Sequence, residues 1–329
     1  MTLVSCGGSS AGGVKLQGAG ASFPAPIYSK WFKSYSEAHP TVQIDYQSVG
    51  SGSGIKSFID KTVDFGASDA AMTPEEIGRV DPALGVQLLP MTAGSIVITY
   101  NLPDVKELKL SRQAYAGIFL GTVKKWDDPL IAKANPGVKL PDSPINVVVR
   151  ADSSGTTFVF SQHLSAISPE FAKGPGTSKM PNWPVGTRSK GNEGVTASVK
   201  TTPGSIGYIE YGYAKSQGMP MASLENKSGE YVAPTTASGQ AALASAQLPD
   251  NLIAWVSDPE PKDAYPITTY TWLLVNKKYP KAKLTVLQDL LNYCLTDGQK
   301  EAESLGYIPL PASVVARVKA AVGTLQAAG

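Results

Sequence analysis

Three short polar stretches combine small residues with hydroxyl side chains at points where a strand is expected to end and a helix to begin. They contain Ser22 and Phe23, Ser51 and Ser53, and Ser154, Gly155 and Thr156. A helix N-terminus presents unpaired N–H groups and a partial positive charge, and small residues let an anion approach them. If the three stretches converge, they predict a donor-rich anion site. Taken singly, each is more typical of ordinary helix capping.

An arginine and a nearby carboxylate lie next to the third stretch. Arg150 offers a planar fork of donors that suits an oxyanion, and Asp152 is close enough in sequence to orient it by a salt bridge. The alternative is a surface ion pair of little energetic value.

Asp69 follows the short strand expected at 63–67. An ionised carboxylate only accepts hydrogen bonds, so beside an anion it suits a ligand that carries a proton. Monohydrogen or dihydrogen phosphate can donate one, whereas sulfate, fully ionised at neutral pH, would leave a buried carboxylate unpaired. Asp69 is thus a candidate for selecting phosphate over sulfate. The alternative is that it caps a helix beginning at Ala70.

Composition limits the other classes of function. A chain of 329 residues is long enough for two domains, and a net charge of +2 without a basic run gives no indication of nucleic-acid binding. Two cysteines and two histidines lack the spacing of a metal site, so we expect no metal and no cofactor. Gly18-x-Gly20-x-x-Phe23 departs from the dinucleotide fingerprint at its third glycine. His39 and His163 are better explained as a helix-end and a core residue than as catalytic bases, so we expect no catalytic residue and no enzyme.

The elements that must position the polar stretches alternate along the chain. Strands are expected within 14–17, 42–46, 63–67, 95–100, 147–149, 204–209 and 270–275, and helices within 24–38, 55–61, 158–167, 284–295 and 312–325. A connection rich in Gly, Pro and Ser is expected around 182–192. This alternation predicts an α/β fold with a largely parallel sheet, whose ligands bind at the carboxyl ends of the strands.

The first residues carry a separate pattern. Leu3-Val4-Ser5-Cys6 reads like the end of a bacterial lipoprotein signal, in which the cysteine is acylated, and a polar tether follows at 7–13. The basic and apolar regions of such a signal are absent before Leu3, so we expect the sequence to be truncated there. The alternative is a chance match of four residues. The first interpretation predicts lipidation of Cys6 and anchoring at the outer face of the cytoplasmic membrane or in the periplasm.

Six stretches, in this order, resemble the periplasmic phosphate-binding proteins of the bacterial high-affinity phosphate-specific ABC transporter. They are 18–28 (GAGASFPAPIY), 46–54 (YQSVGSGSG), 62–69 (TVDFGASD), 124–128 (KKWDD), 150–156 (RADSSGT) and 204–208 (GSIGY). The resemblance covers about residues 14–322. It implies a two-lobed, type II periplasmic binding protein with a ligand cleft between the lobes. One lobe would comprise 14–93 plus 267–329 and the other 94–266, after a signal remnant and tether over 1–13.

The resemblance also implies the roles of the site residues. Ser22, Ser51 and Ser154 would each supply a hydroxyl and an N–H group, and Phe23 an N–H group. Gly155 and Thr156 would close the site from a helix N-terminus. Asp69 would accept the phosphate proton, Asp152 would hold Arg150 against the anion, and Ser53 remains an uncertain ligand.

The resemblance likewise implies the function. The protein would bind inorganic phosphate with high selectivity over sulfate and deliver it, as a monomer, to the transmembrane permease subunits of an ABC transporter. It would contact the membrane only through a lipid on Cys6. Two alternatives are a binding protein for another oxyanion and a phosphate-sensing surface lipoprotein.

Overall fold

The structure is a computed structural model that describes residues 13–328. The described strands are β1 (Val14–Gly20), β2 (Val42–Ser48), β3 (Phe65–Ser68), β4 (Gln87–Tyr100), β5 (Lys109–Leu110), β6 (Asn146–Arg150), β7 (Thr187–Ser189), β8 (Ser205–Glu210), β9 (Ser223–Glu225), β10 (Tyr231–Val232), β11 (Thr268–Val275), β12 (Lys278–Tyr279) and β13 (Gln326–Ala327). The helices are α1 (Ala25–Ala38), α2 (Ser51–Ile59), α3 (Pro74–Gly78), α4 (Arg112–Leu120), α5 (Pro129–Ala132), α6 (Gly155–Ile167), α7 (Pro169–Lys173), α8 (Gly191–Thr201), α9 (Tyr211–Ser216), α10 (Thr236–Ala244), α11 (Lys281–Cys294), α12 (Asp297–Lys300) and α13 (Ala312–Gly323).

Eight of these strands form one sheet in the order β2-β1-β3-β11-β4-β8-β6-β7. The trio β1, β2 and β3 is parallel, and so is the trio β6, β7 and β8. The pairs β3–β11, β11–β4 and β4–β8 are antiparallel. The prediction of a largely parallel sheet therefore holds at both ends and is wrong at the centre, because β4 and β11 run through the middle in opposite directions.

Two lobes form around this sheet. Helices α1, α2 and α11 contact the trio β1 to β3. We call these helices and strands, together with β11, the first lobe. Helices α6 and α8 contact the trio β6 to β8, and we call this group, with α4, the second lobe. The α/β, two-lobed fold expected from the sequence is confirmed.

Strand β4 belongs to both lobes. Its residues 87–95 pair with β11, and its residues 96–100 pair with β8. At the change of partner, the Ser95 hydroxyl lies 3.1 Å from the Thr268 hydroxyl. The lobe boundaries inferred from the sequence, 14–93 plus 267–329 against 94–266, remain a prediction, although the strand pairing changes near the positions where they place the crossings.

Helix α1 shows why the apolar spacing was informative. Ile27, Trp31, Phe32 and Tyr35 all lie on its buried face, and the Trp31 indole N–H donates to the Gly298 carbonyl at 2.8 Å. Each large apolar side chain buried in this way contributes roughly 1.5–3 kcal/mol. The helix begins at Ala25 and ends at Ala38, as expected from the periodicity.

Helix α2 begins four residues earlier than expected, at Ser51 instead of Ile55. The preceding Gly50 has a φ of 91°, a conformation that favours glycine, and it turns the chain directly into the helix. Gly54 is required for packing, since a Cβ there would lie 2.4 Å from the Gly20 Cα. The close contact between α2 and the end of β1 holds Ser51 in the first helical turn.

The Gly/Pro/Ser-rich stretch around 182–192 is also more ordered than expected. It includes β7 and the first turn of α8. Within residues 13–328, no helix combines the length and the apolar character needed to cross a membrane.

Candidate functional site

The candidate site residues meet in the interior of the molecule. Almost all are buried, with side chains no more than 2% exposed: Ser22, Phe23, Ser51, Asp69, Arg150, Ser154 and Thr156. Gly155 is buried with them. Ser53, the uncertain candidate, is exposed on α2, because it lies two residues beyond Ser51 and therefore on another face of the helix. We call the buried set, without Ser53, the buried polar group.

The two lobes touch within the buried polar group. The Gly155 N–H, at the start of α6, donates to Ser51 Oγ at 3.0 Å. The Thr156 hydroxyl donates to Asp69 Oδ2 at 3.4 Å. A Cβ on Gly155 would lie 2.5 Å from Ser51 Oγ, so only glycine lets the helix approach this closely. The expected convergence of stretches distant in the sequence is observed, because the sheet is curled and brings the carboxyl ends of its two parallel trios together.

Helix capping explains only one of the three serines. The Ser154 hydroxyl accepts from the Thr157 N–H and caps α6. Helices α1 and α2 are capped by no side chain, so Ser22 and Ser51 have another role.

Arg150 lies at the end of β6 with a side chain only 1% exposed. Its Nε and Nη2 atoms donate to Asp152 Oδ1 and Oδ2 at 2.9 and 2.5 Å. Burial raises the pKa of Asp152, but the hydrogen bonds and charge of Arg150 outweigh it and hold this pKa below its usual value. With side chains 1% and 11% exposed, the two residues do not form a surface ion pair.

One nitrogen of the Arg150 guanidinium takes no part in the pair with Asp152. Its Nη1 atom is buried and has no hydrogen-bond partner among the described residues. A buried donor without a partner carries a penalty of about 1–3 kcal/mol, and more when it is charged. Arg150 is thus held by Asp152 on one side and available to an acceptor on the other.

Asp69 follows β3 and accepts one hydrogen bond on each carboxylate oxygen. Thr271 Oγ1 donates to its Oδ1 at 2.8 Å, and the Thr156 hydroxyl donates to its Oδ2. Burial raises the pKa of Asp69 to about 7, although the hydrogen bond from Thr271 and the charge of Arg150 oppose this rise. The carboxyl group therefore changes its protonation state near neutral pH.

The alternative role of Asp69, as a helix cap, is wrong. The next helix, α3, begins at Pro74, and its N-cap is Thr73, which forms a capping box with Glu76. Residues 69–72 are not helical, so no helix begins at Ala70.

Neighbouring N–H groups determine whether two of the serine hydroxyls can donate or accept a further hydrogen bond. Ser22 Oγ accepts from the backbone N–H and from the Nδ2 group of Asn192, at 3.0 and 2.8 Å. Ser51 Oγ accepts from the N–H groups of Gly155 and Asp69, at 3.0 and 3.3 Å. A hydroxyl has two lone pairs and one proton, so both serines can add only a donated hydrogen bond. The buried polar group thus offers hydroxyl donors, one guanidinium edge and one carboxylate.

Two backbone roles expected from the resemblance are changed. The Ser154 N–H donates to the Lys179 carbonyl at 2.9 Å, so Ser154 offers its hydroxyl but not its N–H group. The Gly155 N–H is already paired with Ser51 Oγ. The reason is the turn into α6, which directs these two N–H groups at neighbouring protein acceptors.

Asn192 and Thr271 are hydrogen-bonded to the buried polar group but were not predicted from the sequence. Asn192 is fully buried in the first turn of α8, and Thr271 is fully buried on β11. A sequence signal existed for Thr271, which is a polar residue within the apolar run 270–275. Asn192 lies at the end of a stretch that was interpreted as a loop.

The remaining titratable candidates lie elsewhere. His163 is buried, its Nε2 lies 2.9 Å from the Tyr115 hydroxyl, and burial lowers its pKa to about 4. His39 is the C-cap of α1, as expected for a helix-end residue.

Cys294 is a buried free thiol whose pKa is raised by burial. The described part of the chain contains no group of three or more His, Cys, Asp or Glu side chains placed to hold a metal ion. Cys6 lies outside the described residues.

The fold and the buried polar group define a substrate-binding protein of the periplasmic type. A sequence model described as a PBP superfamily domain matches residues 7–297. The solved structure of a high-affinity periplasmic phosphate-binding protein, PfluDING, bound with phosphate, covers 93% of this chain and 93% of its own, with a TM-score of 0.76 at 21% identity. A phosphate-binding protein from Stenotrophomonas maltophilia has a TM-score of 0.73 over the same shares of the two chains, also at 21% identity.

Curated relatives define the family more narrowly. The phosphate-binding protein PstS of Pasteurella multocida (strain Pm70) is 42% identical over 93% of this chain and 89% of the relative. That of Methanocaldococcus jannaschii is 40% identical over 91% of this chain and 83% of the relative. The chain belongs to the family of phosphate-binding proteins PstS, which confirms the resemblance found in the sequence.

Proposed function

We propose that the protein binds inorganic phosphate within the buried polar group and delivers it to an ABC transporter for phosphate import. The observation that carries this proposal is the pairing of an unused guanidinium edge on Arg150 with the buried carboxylate of Asp69. A ligand that satisfies both must be an anion that also donates a hydrogen bond. The names of the relatives support the same ligand.

The proposed selectivity over sulfate follows from the supply of donors and acceptors. Ser22, Ser51 and Arg150 can only donate, and phosphate and sulfate oxygens can accept from all three. Asp69 in its ionised form can only accept, and only a protonated anion has a hydrogen to give it. Sulfate would leave this carboxylate next to an unpaired negative charge in a buried site, which is costly. The same argument disfavours any fully ionised oxyanion as the ligand.

The proposed mechanism is closure of the two lobes around phosphate. Ser22, Ser51 and Asp69 belong to the first lobe, and Arg150, Ser154 and Thr156 to the second. Phosphate that contacts both sets stabilises the closed arrangement, because a ligand shifts an equilibrium by its differential affinity for the two states. The closed form would then be the one that the permease subunits recognise.

We further propose that the protein acts as a monomer in the periplasm or at the outer face of the cytoplasmic membrane, and that a lipid on Cys6 anchors it there. Two observations support this proposal: the chain belongs to the PstS family, and its Leu3-Val4-Ser5-Cys6 pattern resembles the end of a lipoprotein signal. A catalytic role is not proposed, because His163 is held against Tyr115 and His39 ends α1, so neither histidine belongs to the buried polar group.

The test is titration calorimetry on protein stripped of ligand by unfolding and refolding, at neutral pH and at about pH 8.5, where Asp69 with its pKa of about 7 is ionised. We expect one phosphate to bind tightly per chain and sulfate to give no heat. Equal binding of the two anions would contradict the role of Asp69, and binding of neither would contradict the proposed function as a whole. Small-angle scattering of the same samples tests closure, which predicts a smaller radius of gyration with phosphate.

A further inference from the structure

Asn192 uses every polar group of its side chain, and the network determines which way the amide points. Its Oδ1 accepts from the Glu210 backbone N–H at 2.8 Å. Because that partner can only donate, the acceptor of Asn192 must be on this side, and Nδ2 must face the buried polar group. The Nδ2 group donates to Ser22 Oγ at 2.8 Å and to Thr156 Oγ1 at 3.2 Å.

These contacts join the two lobes. Asn192 and Glu210 belong to the second lobe, whereas Ser22 follows β1 in the first. Both the backbone N–H and the side chain of Asn192 donate to the same Ser22 oxygen. Tyr213 adds a parallel link, since its hydroxyl donates to the Ser22 carbonyl at 2.7 Å. Ser22 is therefore held by the second lobe through both its hydroxyl and its carbonyl.

We propose that Asn192 is a positioning residue for the anion: its two N–H donors fix the Ser22 hydroxyl as a donor to phosphate and tie the second lobe to the first. Without the Asn192 side chain, the Ser22 hydroxyl keeps only the bond from the backbone N–H at position 192, so it regains one free lone pair and can rotate away from the ligand. The link between lobes weakens at the same time. This inference rests on the proposed function, because it assigns a role within the same site.

The experiment compares three variants by phosphate calorimetry and stopped-flow release. We expect Asn192→Ala to bind phosphate roughly 10- to 100-fold more weakly, as for loss of hydrogen bonds at a charged site, with most of the change in the dissociation rate. The control is Asn101→Ala. The Asn101 amide donates to the Val199 and Lys200 carbonyls at the other end of α8, so this variant loses similar bonds to the same helix. We expect its phosphate affinity to be unchanged.

The isosteric variant Asn192→Asp separates positioning from a structural role. Its carboxylate oxygen would accept the Ser22 proton and remove that donor from the ligand, but a protonated carboxyl would donate to Ser22 as the amide does. Asn192→Asp should therefore bind phosphate more weakly than the unchanged protein, and the ratio of the two dissociation constants should decrease as the pH falls from about 8 to about 5. The charged or titratable groups on the elements around position 192 include Asp69, Arg150, Asp152, Arg188, Lys190, Glu193, Lys200, Glu210 and Tyr213. Both proteins share them, so the ratio of affinities reports mainly on position 192.

Two results would overturn the proposal: phosphate affinity of Asn192→Ala within twofold of the unchanged protein, or a deficit of Asn192→Asp that does not vary with pH. Melting curves of each variant exclude misfolding as the cause. Failure of the proposed function is distinguishable from both results, since the unchanged protein would then bind no phosphate at all.

Discussion

Among residues 13–328, two arginine–aspartate pairs are buried or partly buried, and they differ in the guanidinium atoms that they use. In the second lobe, Arg112 at the start of α4 donates through Nη1 and Nη2 to the two oxygens of Asp258, each at 2.7 Å. Arg150 instead uses Nε and Nη2 on Asp152 and leaves Nη1 buried without a partner. A paired guanidinium is therefore no mark of a binding site by itself. The distinguishing feature is the edge that the protein leaves unpaired in a buried position.

The largest expected effect tests this difference directly. Arg150→Ala should weaken phosphate binding by about 100- to 1,000-fold, since it removes a buried charge from the site. Arg112→Ala should leave phosphate affinity unchanged and lower the free energy of unfolding by about 1–2 kcal/mol. Calorimetry and urea denaturation of both variants measure the two quantities. Arg150→Lys keeps the charge without the fork and should fall between Arg150→Ala and the unchanged protein. Equal losses of phosphate affinity in the two alanine variants would break the comparison.

A second prediction concerns Asp69, a buried carboxylate that is not hydrogen-bonded to an arginine. The pKa of Asp69 is raised to about 7, so the folded protein retains a proton there that the unfolded chain releases near pH 4. The contribution of this proton to the stability of the folded state is fully present below the pKa of the unfolded chain, and it is lost as the pH rises through about 7. Relative to Asp69→Asn, the ligand-free protein should therefore lose roughly 2–4 kcal/mol of unfolding free energy between about pH 4 and pH 8.

Urea denaturation of both proteins across this pH range measures the difference. Burial also raises the pKa of Glu210, and the charge of Asp69 adds to this rise, so the difference between the two proteins includes a smaller contribution from Glu210. Parallel stability curves would show that Asp69 has an ordinary carboxyl pKa, and would contradict the conclusion that its protonation state changes near neutral pH.

The smallest expected effect comes from an ion pair at the edge of the interface between the lobes. Lys179 Nζ lies 2.6 Å from Glu76 Oε1, with side chains 16% and 23% exposed, and the Lys179 carbonyl also accepts the Ser154 N–H. Lys179→Met should weaken phosphate binding about two- to fivefold, and less at high salt. The control is Lys283→Met, which breaks a pair of the same length with Asp64 inside the first lobe. Equal effects of the two variants on phosphate affinity would show that the lysine does not act through lobe closure.

Sequence reasoning was most successful where the local signal was strong. The apolar spacing of α1 and the small residues before α6 are local patterns, and both helices are observed, although α6 begins at Gly155, three residues before the expected range. Ser22, Ser51, Asp69 and Arg150 were found because a hydroxyl, a carboxylate or a guanidinium at a strand end suggests chemistry by itself.

Other features depend on contacts that no local pattern encodes. Asn192 matters because α8 places it against Ser22, a residue far away in the sequence. The antiparallel centre of the sheet could not be deduced from alternating elements, since β11 reaches its place only after the second lobe has been completed. The use of the Ser154 N–H by Lys179 likewise depends on a loop whose path the sequence does not indicate.

The position of β11 also has a consequence for the order in which the molecule is assembled. It lies between β3 and β4, pairing Trp272 with Ser68 and Thr268 with Ser95. As the chain leaves the ribosome, β3 and β4 emerge early but have no shared neighbour until β11 has followed. The second lobe can form from a nearly continuous segment in the meantime, because domains generally fold as units from the N-terminal side. The first lobe, although it begins the sequence, is thus the last to be closed, and a chain that stops before β11 would retain two unpaired strand edges.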